Sequence, residues 1–67
     1  MPRFTLNGES FDTPAPVTVA TLLERLGIDA RRVAVEHNLL VVKRNHYEAT
    51  ALADGDQVEI VNFVGGG

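Results

Sequence analysis

Thr18-Val19-Ala20-Thr21-Leu22-Leu23-Glu24-Arg25-Leu26-Gly27 is the stretch on which the fold turns. Val19, Leu22, Leu23 and Leu26 recur at the i, i+3, i+4, i+7 spacing of an amphipathic helix, with Glu24 and Arg25 off that stripe. Thr18 fits the N-cap, where its hydroxyl accepts a hydrogen bond from a backbone N–H of the first turn. Gly27 fits the left-handed residue that closes the helix, and Ile28 behind it supplies the apolar contact of a Schellman-type end. The spacing therefore predicts one helix over 18–26. A single amphipathic helix buries one stripe only, and that stripe needs a sheet to cover.

The flanking residues supply the sheet. On the N-terminal side, Pro2-Arg3-Phe4-Thr5-Leu6 alternates, with Phe4 and Leu6 on one face and Arg3 and Thr5 on the other. Asn7-Gly8 then carries the hairpin signature, because both central residues of a type I′ turn need positive φ. Glu9-Ser10-Phe11-Asp12 forms the short return strand, ended by Pro14 and Pro16.

On the C-terminal side, Asp29-Ala30-Arg31-Arg32 is a polar connection with room for a helical turn, and its two adjacent arginines are read as solvated. Val33-Ala34-Val35-Glu36 reads as an interior strand. His37-Asn38 turns the chain into Leu39-Leu40-Val41-Val42-Lys43. Leucine disfavours left-handed geometry, which argues against a plain two-residue I′ turn at Asn38-Leu39. Residues 44–52 read as an irregular or 3₁₀ crossing, and Asp54-Gly55-Asp56 as a turn. The last strand, Gln57 to Phe63, places Val58 and Ile60 toward one face and Glu59, Val61 and Phe63 toward the other. Val61 and Phe63, with one or more of Leu39, Leu40 and Val41, are therefore expected to form an exposed apolar patch for partners.

The order is hairpin, helix, strand pair, crossing, strand. It predicts an α+β fold: a ubiquitin-like β-grasp with a mixed sheet of about four to five strands and one main helix across one face. The domain is expected over residues 1–64, with Gly65-Gly66-Gly67 as a flexible tail, since glycine gains no side-chain packing on ordering.

Composition narrows the function. At 67 residues the chain is one small domain, with little volume for a buried catalytic cleft. It has no cysteine, so neither a disulfide framework nor a thiolate ligand or nucleophile is available. His37 and His46 lack companion ligands and read as surface or turn residues, so no metal is expected. The formal charge of −3 disfavours nucleic acid. No apolar run approaches a membrane span, and the N-terminus lacks a signal-peptide pattern, so a soluble, cytoplasmic chain is expected. Binding, carrying or docking is therefore the expected class of role, and the chain is not expected to be an enzyme.

Several stretches, taken in order, resemble the ThiS family, the sulfur carrier proteins of thiamine biosynthesis. They are Leu6-Asn7-Gly8-Glu9, Thr18 to Leu23 and on through Ile28, Val33-Ala34-Val35-Glu36, Leu52 to Asp56, and Val58 to Val61 running into Phe63-Val64-Gly65-Gly66-Gly67. The chain departs from the family's usual pattern at Asn38-Leu39, where Asn-Gly is common, and a few positions later at Lys43, which stands where proline is often found.

The resemblance implies the following chemistry. An E1-like, ThiF-like adenylyltransferase activates the Gly67 carboxylate with ATP, and persulfide sulfur from a cysteine desulfurase converts it to a thiocarboxylate. A ThiG-like thiazole synthase then takes the sulfur. Gly66 and Gly65 give access and reach, and the chain itself holds no cofactor. A sulfur carrier for molybdopterin synthesis, or a protein modifier joined through Gly67 to lysines, would share the same architecture.

Overall fold

The computed structural model describes residues 2–62, and within them five strands and one α-helix form a two-layer α+β fold. Strand β1 (Arg3–Leu6) pairs antiparallel with β2 (Glu9–Asp12) through Asn7 and Gly8, whose φ values of 51° and 83° are those of the expected I′ turn. Helix α1 (Val19–Leu26) starts at Thr18, whose hydroxyl accepts from the Thr21 N–H at 3.2 Å. It stops at Gly27 with φ of 70°, where Ile28 N–H donates to the Leu23 carbonyl at 2.9 Å in the Schellman pattern. Val19, Leu22 and Leu23 are fully buried. Leu26 is partly exposed, a departure from the four-residue stripe at the point where the helix ends.

A short 3₁₀ turn (Ala30–Arg32) leads into β3 (Val33–His37), β4 (Leu40–Val42) follows, and a second 3₁₀ turn (Arg44–His46) opens the crossing to β5 (Gln57–Asn62). The sheet order is β2-β1-β5-β3-β4. The last strand thus sits at the centre, parallel to β1 and antiparallel to β3. This is the expected mixed β-grasp sheet. It buries Phe4, Val33, Val35 and Val58 against α1, and the crossing adds Tyr47 and Leu52 to the same core. That crossing is tied to the helix start by Val19 N–H to the Thr50 carbonyl and Leu52 N–H to the Val17 carbonyl, both at 2.9 Å.

The second hairpin differs from expectation. His37 belongs to β3 and pairs with Leu40, so the turn is a two-residue one, and both Asn38 (φ 52°) and Leu39 (φ 72°) are left-handed. A leucine there costs on the order of 1 kcal/mol. The turn is held because its asparagine is committed to β5. Asn38 N–H donates to the Gln57 carbonyl at 2.7 Å, and its side-chain oxygen accepts from Gln57 N–H at 2.8 Å. Asn7 does the same from the other side, its side-chain oxygen accepting from Ile60 N–H at 2.7 Å. The two turn asparagines therefore clamp the central strand from both flanks. Replacing Leu39 by glycine keeps the clamp and removes the strained Cβ. We expect Leu39→Gly to raise unfolding free energy by about 0.5–1 kcal/mol in urea titrations. A loss of stability would mean that the Leu39 side chain contributes packing that outweighs the strain.

Candidate functional site

The site inferred from sequence has two parts: the C-terminal glycines and an apolar patch near them. Gly65, Gly66, Gly67 and Phe63 lie outside the described residues. What the fold fixes is the strand that delivers them. β5 is paired on both sides, and its last described residue, Asn62, stands opposite Val33 at the start of β3.

The two faces of the sheet differ sharply. On the helix side lie Phe4, Val33, Val35 and Val58, all buried. On the other side the register places Ala34 beside Val61, and Glu36 between Val41 and Glu59. Val61 and Val41 are 55% and 71% exposed, so neither finishes the core. Only β3 separates them, and strand geometry puts them about 12 Å apart on one surface. Leu40 is equally exposed but has the parity of the helix side, beyond the reach of α1, while Leu39 sits in the turn. The fold thus brings Val41 and Val61 onto one face and leaves Leu39 and Leu40 at its margin. Glu36 and Glu59 face each other directly across the β3–β5 pair, an arrangement of like charges that works against strand pairing.

A polar cluster that the sequence did not reveal lies at the opposite end of β5 from Asn62. His37 Nε2 and Asp56 Oδ2 are 2.6 Å apart and half-buried. A carboxylate only accepts, so Nε2 carries the proton and donates, which rules out the longer contact from Asn38 Nδ2 to that nitrogen. Asn38 Nδ2 donates instead to Asp56 Oδ1 at 3.3 Å, and Ala53 N–H donates to Oδ2 at 2.9 Å. Burial opposes ionisation of Asp56, but the hydrogen bonds from His37, Ala53 and Asn38 outweigh it and hold the carboxyl below its ordinary pKa. The cluster ties the β3–β4 turn to the turn before β5. The bonds from His37, Asn38 and Ala53 to the Asp56 carboxylate hold the two turns together. His37, read from sequence as a surface or turn residue, is half-buried at the foot of the β3–β4 turn and bonded to Asp56. Among the described residues no three His, Asp or Glu side chains converge as metal ligands.

Among the described residues, an open groove of about 620 Å³ lies between α1 and the crossing, with Leu23, Ile28 and Tyr47 in its wall and Glu24, Arg44 and Glu48 at its edge. Its lining mixes charges of both signs and brings no nucleophile to an acid or base. Among the described residues no helix is long and apolar enough to cross a membrane.

Comparison with known proteins fits this geometry. The ThiS family matches residues 4–67. A thiamine biosynthesis protein (ThiS) from Geobacter metallireducens superposes with a TM-score of 0.84 at 37% identity, covering 97% of this chain and 99% of that one. The chain is 38% identical over 50 residues to the sulfur carrier protein ThiS of Bacillus subtilis, covering 75% of this chain and 76% of that protein. It is also 48% identical over 65 residues, 97% of its length, to a thiazole synthase of Paramagnetospirillum magneticum. The chain spans only 20% of that protein, and the same share of a second thiazole synthase, from Magnetococcus marinus. A family match that begins in β1 and runs to Gly67, on a fold shared with a ThiS protein over nearly its whole length, places the chain in the ThiS family.

Proposed function

We propose that the chain carries sulfur for thiazole formation in thiamine biosynthesis, with the carboxylate of Gly67 as the loading site. The observation that carries this reading is the family match extending through Gly65-Gly66-Gly67, behind a strand locked at the centre of the sheet. A carboxylate is a poor electrophile and needs a better leaving group. Its oxygen attacks the α-phosphorus of ATP, pyrophosphate departs, and an acyl-adenylate remains. The terminal sulfur of a desulfurase persulfide then attacks the acyl carbon and AMP leaves. A thiol cleaves the resulting S–S bond, is itself oxidised to a disulfide, and releases the thiocarboxylate.

Each of these steps needs an enzyme close to the reacting carbonyl, and glycines at Gly66 and Gly67 leave no Cβ in the way. The partners are an E1-like adenylyltransferase, a persulfide donor and thiazole synthase. For the last of these, two proteins named thiazole synthase contain within one polypeptide a segment similar to this chain. Val41 and Val61, with Phe63, form the docking face, and Leu39 marks its far margin. Exposed aliphatics on a half-covered sheet are a surface that association can bury.

Intact-mass analysis of the chain after incubation with adenylyltransferase, ATP and persulfide donor tests the assignment. A species with one oxygen replaced by sulfur is expected. Conjugates linked through lysine, with no sulfur-bearing species, would assign the chain to protein modification instead.

A further inference from the structure

The fold gathers cations that the sequence scatters. The chain has six Lys and Arg residues and a formal charge of −3. Four of the six, Arg31, Arg32, Lys43 and Arg44, come together at one end of the sheet. Arg31 and Arg32 immediately precede Val33, which pairs with Asn62, while Lys43 and Arg44 follow Val42, which pairs with Val35. The Arg44 guanidinium donates to the Arg31 carbonyl at 3.5 Å and bridges the two pairs. All four residues are exposed. Asp29 is the acidic group paired with them, at 3.1 Å from Arg31 and 3.9 Å from Arg32. The hydrogen bonds from the Arg31 side chain and backbone pull its pKa down to about 2, so it offsets a single charge. Glu24 and Glu48 share the nearby groove with Arg44, but neither is within ion-pair distance of it among the described residues.

We propose that these four residues form a basic collar around the exit of β5, which docks on an acidic rim of the adenylyltransferase cleft that receives the tail. The inference rests on the carrier reading above and adds how the partner is recognised. Distance decides what the collar meets. The proposed loading site, Gly67, lies five residues beyond Asn62, and a chain of that length reaches at most about 17 Å. The collar is therefore set back from a fully extended tip by about twice the Debye length at physiological salt, too far to act on the phosphates of the nucleotide. It lies where the mouth of a cleft must be. A net-negative chain with cations concentrated at one end also presents that end first to an acidic partner, which raises the association rate.

The test is steady-state adenylylation by the enzyme, followed by pyrophosphate release, with the wild-type chain and the quadruple variant Arg31→Gln/Arg32→Gln/Lys43→Gln/Arg44→Gln. At low salt the variant should show a carrier KM about tenfold higher, with kcat and the KM for ATP unchanged. The gap should close as salt approaches about 1 M, where the Debye length falls to about 3 Å. Arg3→Gln, at the other end of the sheet, should leave the carrier KM unchanged, and thermal melts should show all chains folded. Equal KM values at low salt, a difference that survives high salt, or a change in the KM for ATP would each overturn the collar. If the wild-type chain itself is not adenylylated, the carrier reading fails, and the collar fails with it.

Discussion

Leu22→Ala is expected to cost about 2–5 kcal/mol, the range for emptying a fully buried leucine site. Leu22 has no exposed surface and lies in the middle of the helical stripe, against a core that includes Phe4, Val35 and Val58. A domain of 67 residues has roughly 3–10 kcal/mol in total, so this one truncation removes much of its margin. The cavity would open between helix and sheet, where two rigid layers cannot collapse far. Urea unfolding followed by circular dichroism measures the effect. Leu40→Ala provides the contrast, since Leu40 is 73% exposed and its truncation should change stability by less than about 0.5 kcal/mol. Similar costs for the two variants would mean that α1 does not cover the sheet as described.

Deleting Gly67 is expected to abolish sulfur loading while leaving the fold untouched. The residue lies beyond β5, and the described core and the clamps on the central strand are built from residues 2–62. Stability should therefore match the full chain within about 0.5 kcal/mol. Loading, in contrast, depends on placing one carbonyl within reach of successive reagents. A shortened tail presents its carboxylate a full residue short, about 3.5 Å, and misplacement of even 1 Å can cost about a hundredfold in rate. Reconstitution with adenylyltransferase, ATP, persulfide donor and thiazole synthase should then yield no thiazole. Full activity from the shortened chain would remove Gly67 from the chemistry.

Local signals in the sequence were enough for the helix with its caps, the Asn7-Gly8 turn and the facing of β5. Each depends on residues a few positions apart. The same parity argument put Val61 on the face away from the helix, where it is exposed. What local signals did not show depends on distant residues. Asn38-Leu39 looked unfit for a two-residue turn because the compensation comes from Gln57 and Asp56, some 18 or 19 positions away. His37 read as a surface or turn residue without companions because its partner, Asp56, is equally remote. Arg31 and Arg32 are solvated, as read, and only the β3–β4 register brings Lys43 and Arg44 beside them. Glu36 and Glu59 likewise become neighbours only through strand pairing.

These long-range contacts share one consequence: they fix the central strand and leave one end of the sheet charged and open. The His37–Asp56–Asn38 cluster and the Asn7 carboxamide secure β5 along its length. A strand held in this way can present a short, side-chain-poor segment to an enzyme without itself unfolding.

The most direct measurement of the central claim is sulfur tracing. The chain is loaded with isotopically labelled sulfur, freed of donor and persulfide, and mixed in a single turnover with thiazole synthase and its other substrates. The account predicts that the label moves from the C-terminal fragment containing Gly67 into the thiazole product. Label retained on the chain while thiazole forms would contradict it.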